Sequence, residues 1–378
     1  PEGKPARKTE EGYNERVSRA TKLMEAEGLD ALLLSRPRES RSLYYLTGID
    51  RFCADLVLFR DGSSILLVLD RDLLDAKETT QVDEILTFSS ASSQFEVIAR
   101  VLREHKLEHG VVGVEKAFLH TSFYESLRDV IPGTLQIADA SKVTGGLRLI
   151  KTDDEIERIS QASAIATKTL KAAAEAIRPG TRENEITGFI EYELRMRGAE
   201  GTATSTFVSS GSGTRAAHPP VSTRKLSQGD MVTVDLHPRF QGYCSDLAAT
   251  FTIDVRNRRL DEGISRLLEA RDTTIQDVGI GDRFSTIHRR YLEQLVSNGF
   301  IAPKIPFFNN LHGVGIAAND PPSFWYPFDL EIRPGMVFAF AQSPALLQTE
   351  GIGMRFEDTY LATTSGVKRL TSSQSQKN

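Results

Sequence analysis

Apolar residues in the first 145 positions alternate between helical spacing and short continuous runs. Residues 14–28 show helical spacing and end at Gly28, a common helix stop. The run at 31–35 (ALLLS) predicts a buried strand, and two apolar runs around Asp61-Gly62 predict a β-hairpin. The same patterns predict helices at 94–110 and 121–133 with a strand at 111–115 between them. This alternation is typical of an α/β domain with a mixed sheet.

The pattern changes after residue 145, where Gly145-Gly146 interrupts it. We therefore expect two domains, covering residues 1–147 and 148–378. Thr152 and Glu155 form a capping-box signature for a long helix that ends before Pro179-Gly180. Thr181 is predicted to be the N-cap of the helix that follows.

The second half groups its helices and strands, which predicts an α+β domain. Strands are expected at 231–236, 243–253, 336–341 and 352–363, and helices at about 260–278 and 283–298. Only the tail at 371–378 (TSSQSQKN) is predicted to be disordered.

Composition narrows the class of protein. The 378 residues are 40% hydrophobic and 26% charged, which is ordinary for a soluble globular protein. The formal net charge is −5 without a Lys/Arg tract, so we expect no nucleic-acid partner. No apolar run is long enough for a membrane span, and no signal-peptide core is found. Two cysteines fit a reducing compartment. We therefore expect a cytoplasmic protein with a small-molecule or short-peptide substrate.

Polar residues that interrupt apolar or glycine-rich runs in the second half are the candidates for chemistry. Asp235 and Asp246 lie in strand-like runs, where a carboxylate is costly unless it is paired or binds a metal. The turn between them would place both at the same level on adjacent strands. His312 precedes Gly313 and Gly315, which let backbone and ligand approach closely. The full set is His218, Asp235, His237, Asp246, His312 and Glu357.

These oxygen and nitrogen donors suit Mn, Fe, Co or Zn better than Ca. Each residue alone also has an ordinary interpretation: an isolated strand Asp is commonly a surface residue, and an isolated His is commonly structural. The residues by themselves therefore leave a metal site and an acid/base site open.

The order of these motifs resembles the pita-bread fold family, peptidase family M24, which includes Xaa-Pro aminopeptidases, prolidases, methionine aminopeptidases and creatinase. The likeness rests on Asp-x10-Asp, on His before Gly-x-Gly, and on the segments LRLIKTDDEI, RPGMVFAF and GMRFEDTYLATTSG. It implies a creatinase-like α/β N-terminal domain and a pita-bread C-terminal domain. In metallopeptidase members five side chains bind two divalent metals, and Asp235, Asp246, His312 and Glu357 match four of them. His218 matches the histidine that faces the substrate.

Several positions depart from the peptidase pattern. The fifth ligand position is Ala341; its neighbour Gln342 could serve as a metal ligand only if the strand carries a bulge. Asn319 stands where the peptidases have a proton-shuttling histidine, and Asn cannot act as an acid or base. His237 stands where they commonly have Gly; the dimethylsulfoniopropionate lyases of this fold are similar in placing an extra ligand there. Ala248 lies in a stretch where peptidases usually have Thr and Arg.

The resemblance, with these departures, predicts a hydrolase that cleaves a C–N bond in a small carboxylate-bearing substrate, such as a dipeptide, amide or amidine. We expect a reduced metal site, holding one ion or none, with manganese among the candidates. Arg355 would hold the substrate carboxylate, or form a structural ion pair. The alternatives are a metal-independent, creatinase-like amidinohydrolase that uses His218 as acid or base, a lyase, and a non-catalytic peptide-binding protein.

The resemblance also implies a homodimer in which the N-terminal domain of one subunit lies near the site of the other. Tyr44, Arg51 and Phe52 are therefore candidate substrate contacts, with ordinary packing as the alternative.

Overall fold

The structure is a computed structural model that describes residues 10–35, 41–50, 53–253, 258–302, 304–324, 326–342 and 353–373. The chain divides into two compact units between Arg148 and Leu149. None of the described helices is both long and apolar enough to cross a bilayer.

The first unit has a mixed sheet with helices beside it. Its helices are α1 (Glu10–Ala26), α2 (Ser42–Thr47), α3 (Leu73–Thr79), α4 (Ala91–Glu104), α5 (Thr121–Val130) and α6 (Ser141–Leu149). Its strands are β1 (Ala31–Ser35), β2 (Ala54–Phe59), β3 (Ser64–Leu69), β4 (Glu84–Phe88), β5 (Gly110–Val114) and β6 (Leu135–Asp139). The strand order is β4-β3-β2-β1-β5-β6. The β2–β3 hairpin around Asp61-Gly62 is antiparallel, as predicted, and β1 runs parallel to β5.

One prediction for this unit is wrong. Gly145-Gly146 does not interrupt the regular structure, because α6 runs through both residues. A Cβ at Gly146 would lie 3.3 Å from the Leu23 side chain, so a small residue suits this contact between helices. The glycines therefore mark close packing inside a helix rather than a break.

The second unit surrounds an antiparallel sheet with long helices. Its helices are α7 (Asp153–Ala176), α8 (Glu183–Met196), α9 (Arg258–Gln276) and α10 (Phe284–Ser297). Its strands are β7 (Gly201–Thr202), β8 (Phe207–Ser210), β9 (Met231–Leu236), β10 (Pro238–Phe240), β11 (Tyr243–Cys244), β12 (Leu247–Thr252), β13 (Leu311–Gly313), β14 (Val337–Gln342), β15 (Phe356–Thr363) and β16 (Gly366–Arg369). The main sheet has the order β13-β14-β15-β12-β9-β8, with β16 on β15, and β7, β10 and β11 form a small separate sheet.

The starts of two helices test the capping predictions. The capping box of α7 is confirmed: the Glu155 N–H donates to the Thr152 hydroxyl, and the Thr152 N–H donates to the Glu155 carboxylate. The N-cap predicted at Thr181 is wrong by one residue, because α8 has Arg182 at that position. The backbone N–H of Arg182 donates to the carboxylate of Glu185, the N3 residue, at 2.9 Å. This carboxylate therefore caps the start of α8 in place of a Ser or Thr hydroxyl.

The predicted disorder of the tail is wrong for its first three residues. Thr371 and Ser373 donate hydrogen bonds to the Asp358 carboxylate, which also accepts a hydrogen bond from the buried Arg271 at 2.9 Å. Residues 374–378 lie outside the described part of the chain. This network lies at β15, where Asp358 directly follows Glu357.

Candidate active site

A row of side chains crosses the main sheet at one level. Asp235 on β9 is paired with Phe207 on β8 and with Ala248 on β12. Ala248 is paired in turn with Glu357 on β15, which is paired with Ala341 on β14. Directly opposed residues of an antiparallel ladder project from the same face. The strand register therefore brings Asp235 and Glu357 to one face, with the small Ala248 between them.

Asp246 and His237 extend this row at the end of the β9–β12 ladder. Asp235 and His237 are two residues apart, as are Asp246 and Ala248, so all four project from the same face. Asp246 is offset by two residues from Asp235 rather than level with it, since Asp235 pairs with Ala248. The backbone of Asp246 is fixed by Thr359, whose hydroxyl donates to the Asp246 carbonyl at 2.8 Å and accepts from its N–H at 3.1 Å.

His312 enters from the neighbouring strand β13, which pairs with β14. A Cβ on Gly313 would lie 2.1 Å from the Pro321 carbonyl oxygen, so glycine is required where β13 meets the loop at 320–322. A Cβ on Gly315 would lie 2.1 Å from the Asp320 carboxylate. The two glycines therefore allow close packing of protein on protein, where the sequence indicated an approach of ligand to backbone.

Five buried side chains meet on this face, and we call them the carboxylate–imidazole cluster: Asp235, His237, Asp246, His312 and Glu357. The donor atoms fall into two sets that share Asp246. In the first donor set, His237 Nε2 lies 3.2 Å from Asp235 Oδ1 and 3.2 Å from Asp246 Oδ1. In the second donor set, His312 Nε2 lies 3.2 Å from Glu357 Oε1 and 3.8 Å from Asp246 Oδ2.

Arg355 is the cation of the site. Its Nη2 donates to Glu357 Oε2 at 2.7 Å, and its Nε lies 3.1 Å from Asp235 Oδ2. Its Nη1 lies 3.5 Å from both the Ala217 carbonyl oxygen and His218 Nε2. Arg355 thus contacts Asp235 Oδ2 and Glu357 Oε2, while Asp235 Oδ1 and Glu357 Oε1 face the histidines of the donor sets.

Electrostatic interactions in the cluster outweigh the effect of burial at most positions. Burial alone would raise the pKa of Asp235 and Glu357, but the Arg355 guanidinium holds both below their ordinary values. Burial would lower the pKa of His237, yet the carboxylates of Asp246 and Asp235 raise it well above 6.5. The pKa of Asp246 is raised by burial and by the negative charge of Glu357. The site therefore favours positive charge beside its carboxylates.

The residues present fit a divalent metal. Three carboxylates outnumber the one guanidinium, so this buried cluster needs further positive charge, which protonated imidazoles or a divalent ion can supply. Donors about 2.1 Å from a common ion are separated by about 3.0–3.4 Å at octahedral or tetrahedral angles. Three of the four nitrogen-to-oxygen distances above are 3.2 Å. Two carboxylates with one imidazole in each set match the donor preferences of Mn, Fe, Co and Zn.

Gln342, predicted as a possible metal ligand, is corrected by the structure. Strand β14 continues to Gln342 with its pairing to β15 intact, so no bulge rotates this residue toward the cluster. The Gln342 side chain points to the opposite face, where Nε2 donates to the Leu267 carbonyl of α9 at 2.6 Å. Ala341, which is paired with Glu357, occupies the cluster face instead.

The other candidates lie farther out. His218 is partly exposed, with its ring 5.2 Å from the Phe207 ring and its Nε2 beside Arg355. Asn319 is exposed in the loop after β13. Tyr44 belongs to α2 in the first unit, with the Arg41 guanidinium 4.3 Å from its ring centroid. Arg51 and Phe52 lie outside the described residues.

Two residues of the site were missed from sequence. Phe207 is paired with Asp235, and its ring lies 6.2 Å from the His237 ring as well as close to His218. Thr359 fixes the backbone of Asp246 from a strand 113 positions away along the chain. Neither role has a local signal, because both depend on which strands are neighbours in the sheet.

Comparisons with known proteins agree with this arrangement. Residues 157–364 match the model of metallopeptidase family M24, and residues 16–150 match the creatinase/prolidase N-terminal domain. An Xaa-Pro dipeptidase of Pyrococcus horikoshii is 27% identical over 366 residues, covering 96% of this chain and 98% of the relative.

Solved structures show the same fold. The prolidase from Pyrococcus horikoshii superposes with a TM-score of 0.82 at 25% identity, covering 96% of this chain and 99% of the other. The prolidase from Thermococcus sibiricus has a TM-score of 0.86 at 22% identity, with 96% and 98% covered.

Proposed function

The chain belongs to metallopeptidase family M24 and is an M24-type hydrolase, and we propose that it is a metal-dependent dipeptidase that hydrolyses the amide bond of a short peptide. Its similarity to an Xaa-Pro dipeptidase over nearly the full length of both chains makes Xaa-Pro dipeptides the first substrates to test. The observation that carries the proposal is the carboxylate–imidazole cluster, in which carboxylates outnumber the one guanidinium and the donor atoms have metal-like spacing.

Asp235, His237, Asp246, His312 and Glu357 would hold the metal. When bound, a divalent ion supplies Lewis-acid polarisation of the scissile carbonyl and lowers the pKa of water. Each carboxylate shared with Arg355 keeps one oxygen for the ion, because the guanidinium occupies the other. The family implies a divalent metal, and the donor set makes Mn, Fe, Co and Zn the ions to compare.

We propose a positioning role for Arg355 in place of substrate binding. Nε and Nη2 already face Asp235 and Glu357, and only Nη1 extends toward the exposed His218. This contact pattern matches the structural ion pair considered from the sequence. His218 would then meet the substrate from the open side and orient its carbonyl or carboxylate, with Phe207 as an apolar wall behind it. Asn319 cannot transfer a proton, so its role would be to donate a hydrogen bond to the substrate.

A panel assay tests the function. Protein stripped with a chelator and protein reloaded with Mn²⁺, Co²⁺ or Zn²⁺ would be given Xaa-Pro dipeptides, other dipeptides, simple amides and guanidino acids. We expect dipeptide hydrolysis only in reloaded protein, and none with Asp246→Asn. The matched control is Asp277→Asn, which changes an exposed Asp of the same unit. Metal-loaded protein that cleaves no member of the panel would refute the proposal.

A second candidate is metal-independent C–N cleavage with His218 as the acid or base. It is favoured by Arg355, whose guanidinium pairs with two of the three carboxylates of the cluster. Burial and the nearby Arg355 charge lower the pKa of His218, so its imidazole is neutral at pH 7 and able to accept a proton. Full turnover of guanidino acids in excess chelator, abolished by His218→Asn, would select this candidate.

A cytoplasmic location and a homodimer, both expected from the sequence, stay predictions.

A further inference from the structure

We propose that this chain binds its metal first and most tightly in the first donor set, Asp235–His237–Asp246, and that the His312–Glu357 side is the weaker, second position. The inference rests on the metal dependence proposed above and adds which half of the cluster holds the ion. His237 thereby becomes a principal metal ligand.

Unpartnered atoms distinguish the two halves. Oδ1 of Asp235 and Oδ1 of Asp246 are buried and lack a hydrogen-bond partner, whereas Oδ2 of Asp235 faces the Arg355 guanidinium, with Nε at 3.1 Å. His237 Nε2 is equally close to Asp235 Oδ1 and Asp246 Oδ1, yet its N–H direction satisfies neither oxygen. Buried polar atoms in proteins are otherwise nearly always paired. Two carboxylate oxygens and one ring nitrogen that converge without hydrogen bonds are suited to a shared cation.

The second half is already satisfied by protein groups. His312 Nε2 donates a hydrogen bond to Glu357 Oε1, and Arg355 donates one to Glu357 Oε2. An ion on this side must therefore replace the hydrogen bond between His312 and Glu357, whereas in the first donor set it replaces only the ion-pair contacts of His237 with Asp235 and Asp246. The difference favours occupancy of the first donor set, because exchanging one satisfied contact for another yields little net free energy.

Distances and composition point the same way. Both oxygens of the first donor set lie 3.2 Å from the imidazole nitrogen, while the second set opens to 3.8 Å between His312 Nε2 and Asp246 Oδ2. Ala341 is paired with Glu357 on the strand next to β13, so the small side chain lies on the His312 side. Each half thus has one imidazole, and the Ala341 methyl group lies on the side of the second half.

The experiment measures metal binding directly. Stripped protein is titrated with Co²⁺ and Mn²⁺ in competition with a chromophoric chelator, and the visible absorption of bound Co²⁺ reports changes in its coordination. The matched pair is His237→Gln and His312→Gln, which remove one imidazole from each half. Ala341→Glu adds a carboxylate to the second half alone. Circular dichroism and the urea midpoint of each stripped variant check that it folds.

We expect the wild type to bind one equivalent tightly and a second weakly. Loss of a residue that only hydrogen-bonds to a metal ligand typically lowers metal affinity by about 10–100-fold, and loss of a ligand itself should cost more. His237→Gln should therefore weaken binding of the tight equivalent by about 100-fold or more. It should also alter the Co²⁺ spectrum. His312→Gln should leave the tight equivalent close to wild type. Ala341→Glu should tighten only the second equivalent, which tests the inference even if His237→Gln does not fold.

The outcomes separate this inference from the proposed function. Loss of the tight equivalent in His312→Gln with retention in His237→Gln would overturn the assignment while metal dependence stands. Tightening of the first equivalent by Ala341→Glu would overturn it as well. A wild type that binds neither ion would overturn both proposals.

Discussion

Side-chain alternation along β14 decides which of two neighbouring residues faces the cluster. Gln342 is fully buried on the helix side and donates to the Leu267 carbonyl, so it cannot serve the metal without inverting the strand. We predict that Gln342→Leu destabilises the protein by about 1–3 kcal/mol, since a buried carbonyl loses its donor. Metal affinity should not change. Urea denaturation and a chelator titration measure the two effects, and weakened metal binding in a variant that folds normally would contradict this placement.

Thr359 is the residue that we expect to control Asp246 without touching a ligand atom. Its hydroxyl both donates to and accepts from the backbone of Asp246. Thr359→Val keeps the shape and removes the hydroxyl, so metal affinity should fall by about 10-fold, the lower end for outer-shell partners. Thr359→Ser should restore it. Equal affinities in the two variants, measured by chelator competition, would show that the hydroxyl has no positioning role.

His218 gives a prediction that needs no substrate. Burial and the Arg355 charge lower its pKa from 6.5, against the opposing pull of Asp235 and Glu357. The imidazole should therefore stay neutral at pH 7 and gain its proton only below pH 6.5. An NMR titration of the imidazole resonances, assigned with His218→Asn, measures this directly. A midpoint above 6.5 would mean that the carboxylates, rather than Arg355, dominate the environment of His218.

Among the secondary-structure elements, β15 is held by hydrogen bonds from the residues that follow β16. Asp358 accepts hydrogen bonds from the Thr371 hydroxyl and from the Ser373 hydroxyl and N–H, in addition to Arg271. Hydrogen bonds to a buried charge are worth about 1.5–3 kcal/mol each. We predict that Thr371→Val with Ser373→Ala destabilises the protein by about 3–6 kcal/mol. Thr371→Ser is the control, and an unchanged urea midpoint in the double variant would contradict the prediction.

The fold was largely predictable because its signals are local. Period-3.6 and period-2 patterns indicate helices and strands wherever one face is buried. The Thr152–Glu155 capping box located the start of α7 because both partners lie within one turn. Gly145-Gly146 misled for the opposite reason: the role of Gly146 depends on Leu23, far along the chain, and a glycine pair by itself resembles a break. The order of the residues at 371–373 likewise depends on Asp358.

The sequence could predict which residues form the candidate site, but not how their side chains are arranged. Four of the five cluster residues matched family motifs, and His237 was singled out by its spacing from Asp235. The choice between Ala341 and Gln342 depended on the register of β14 with β15. The division of each carboxylate between Arg355 and a donor set depended on atomic positions that a linear sequence does not encode.

At the scale of the whole molecule, we expect metal binding to add to the stability of the fold. Asp235 on β9, Asp246 just before β12 and Glu357 on β15 come together only in the folded second unit, and the unfolded chain offers no such cluster. An ion that binds only the folded state should stabilise it by about 2.7 kcal/mol at 100 times its Kd. We therefore predict that Mn²⁺ raises the melting temperature of stripped protein in a concentration-dependent way. Asp246→Asn, which affects both donor sets, should abolish the shift, whereas Asp277→Asn should keep it. Scanning calorimetry measures the melting temperature. A Mn²⁺-dependent rise that persists in Asp246→Asn would place the stabilising ion outside the cluster.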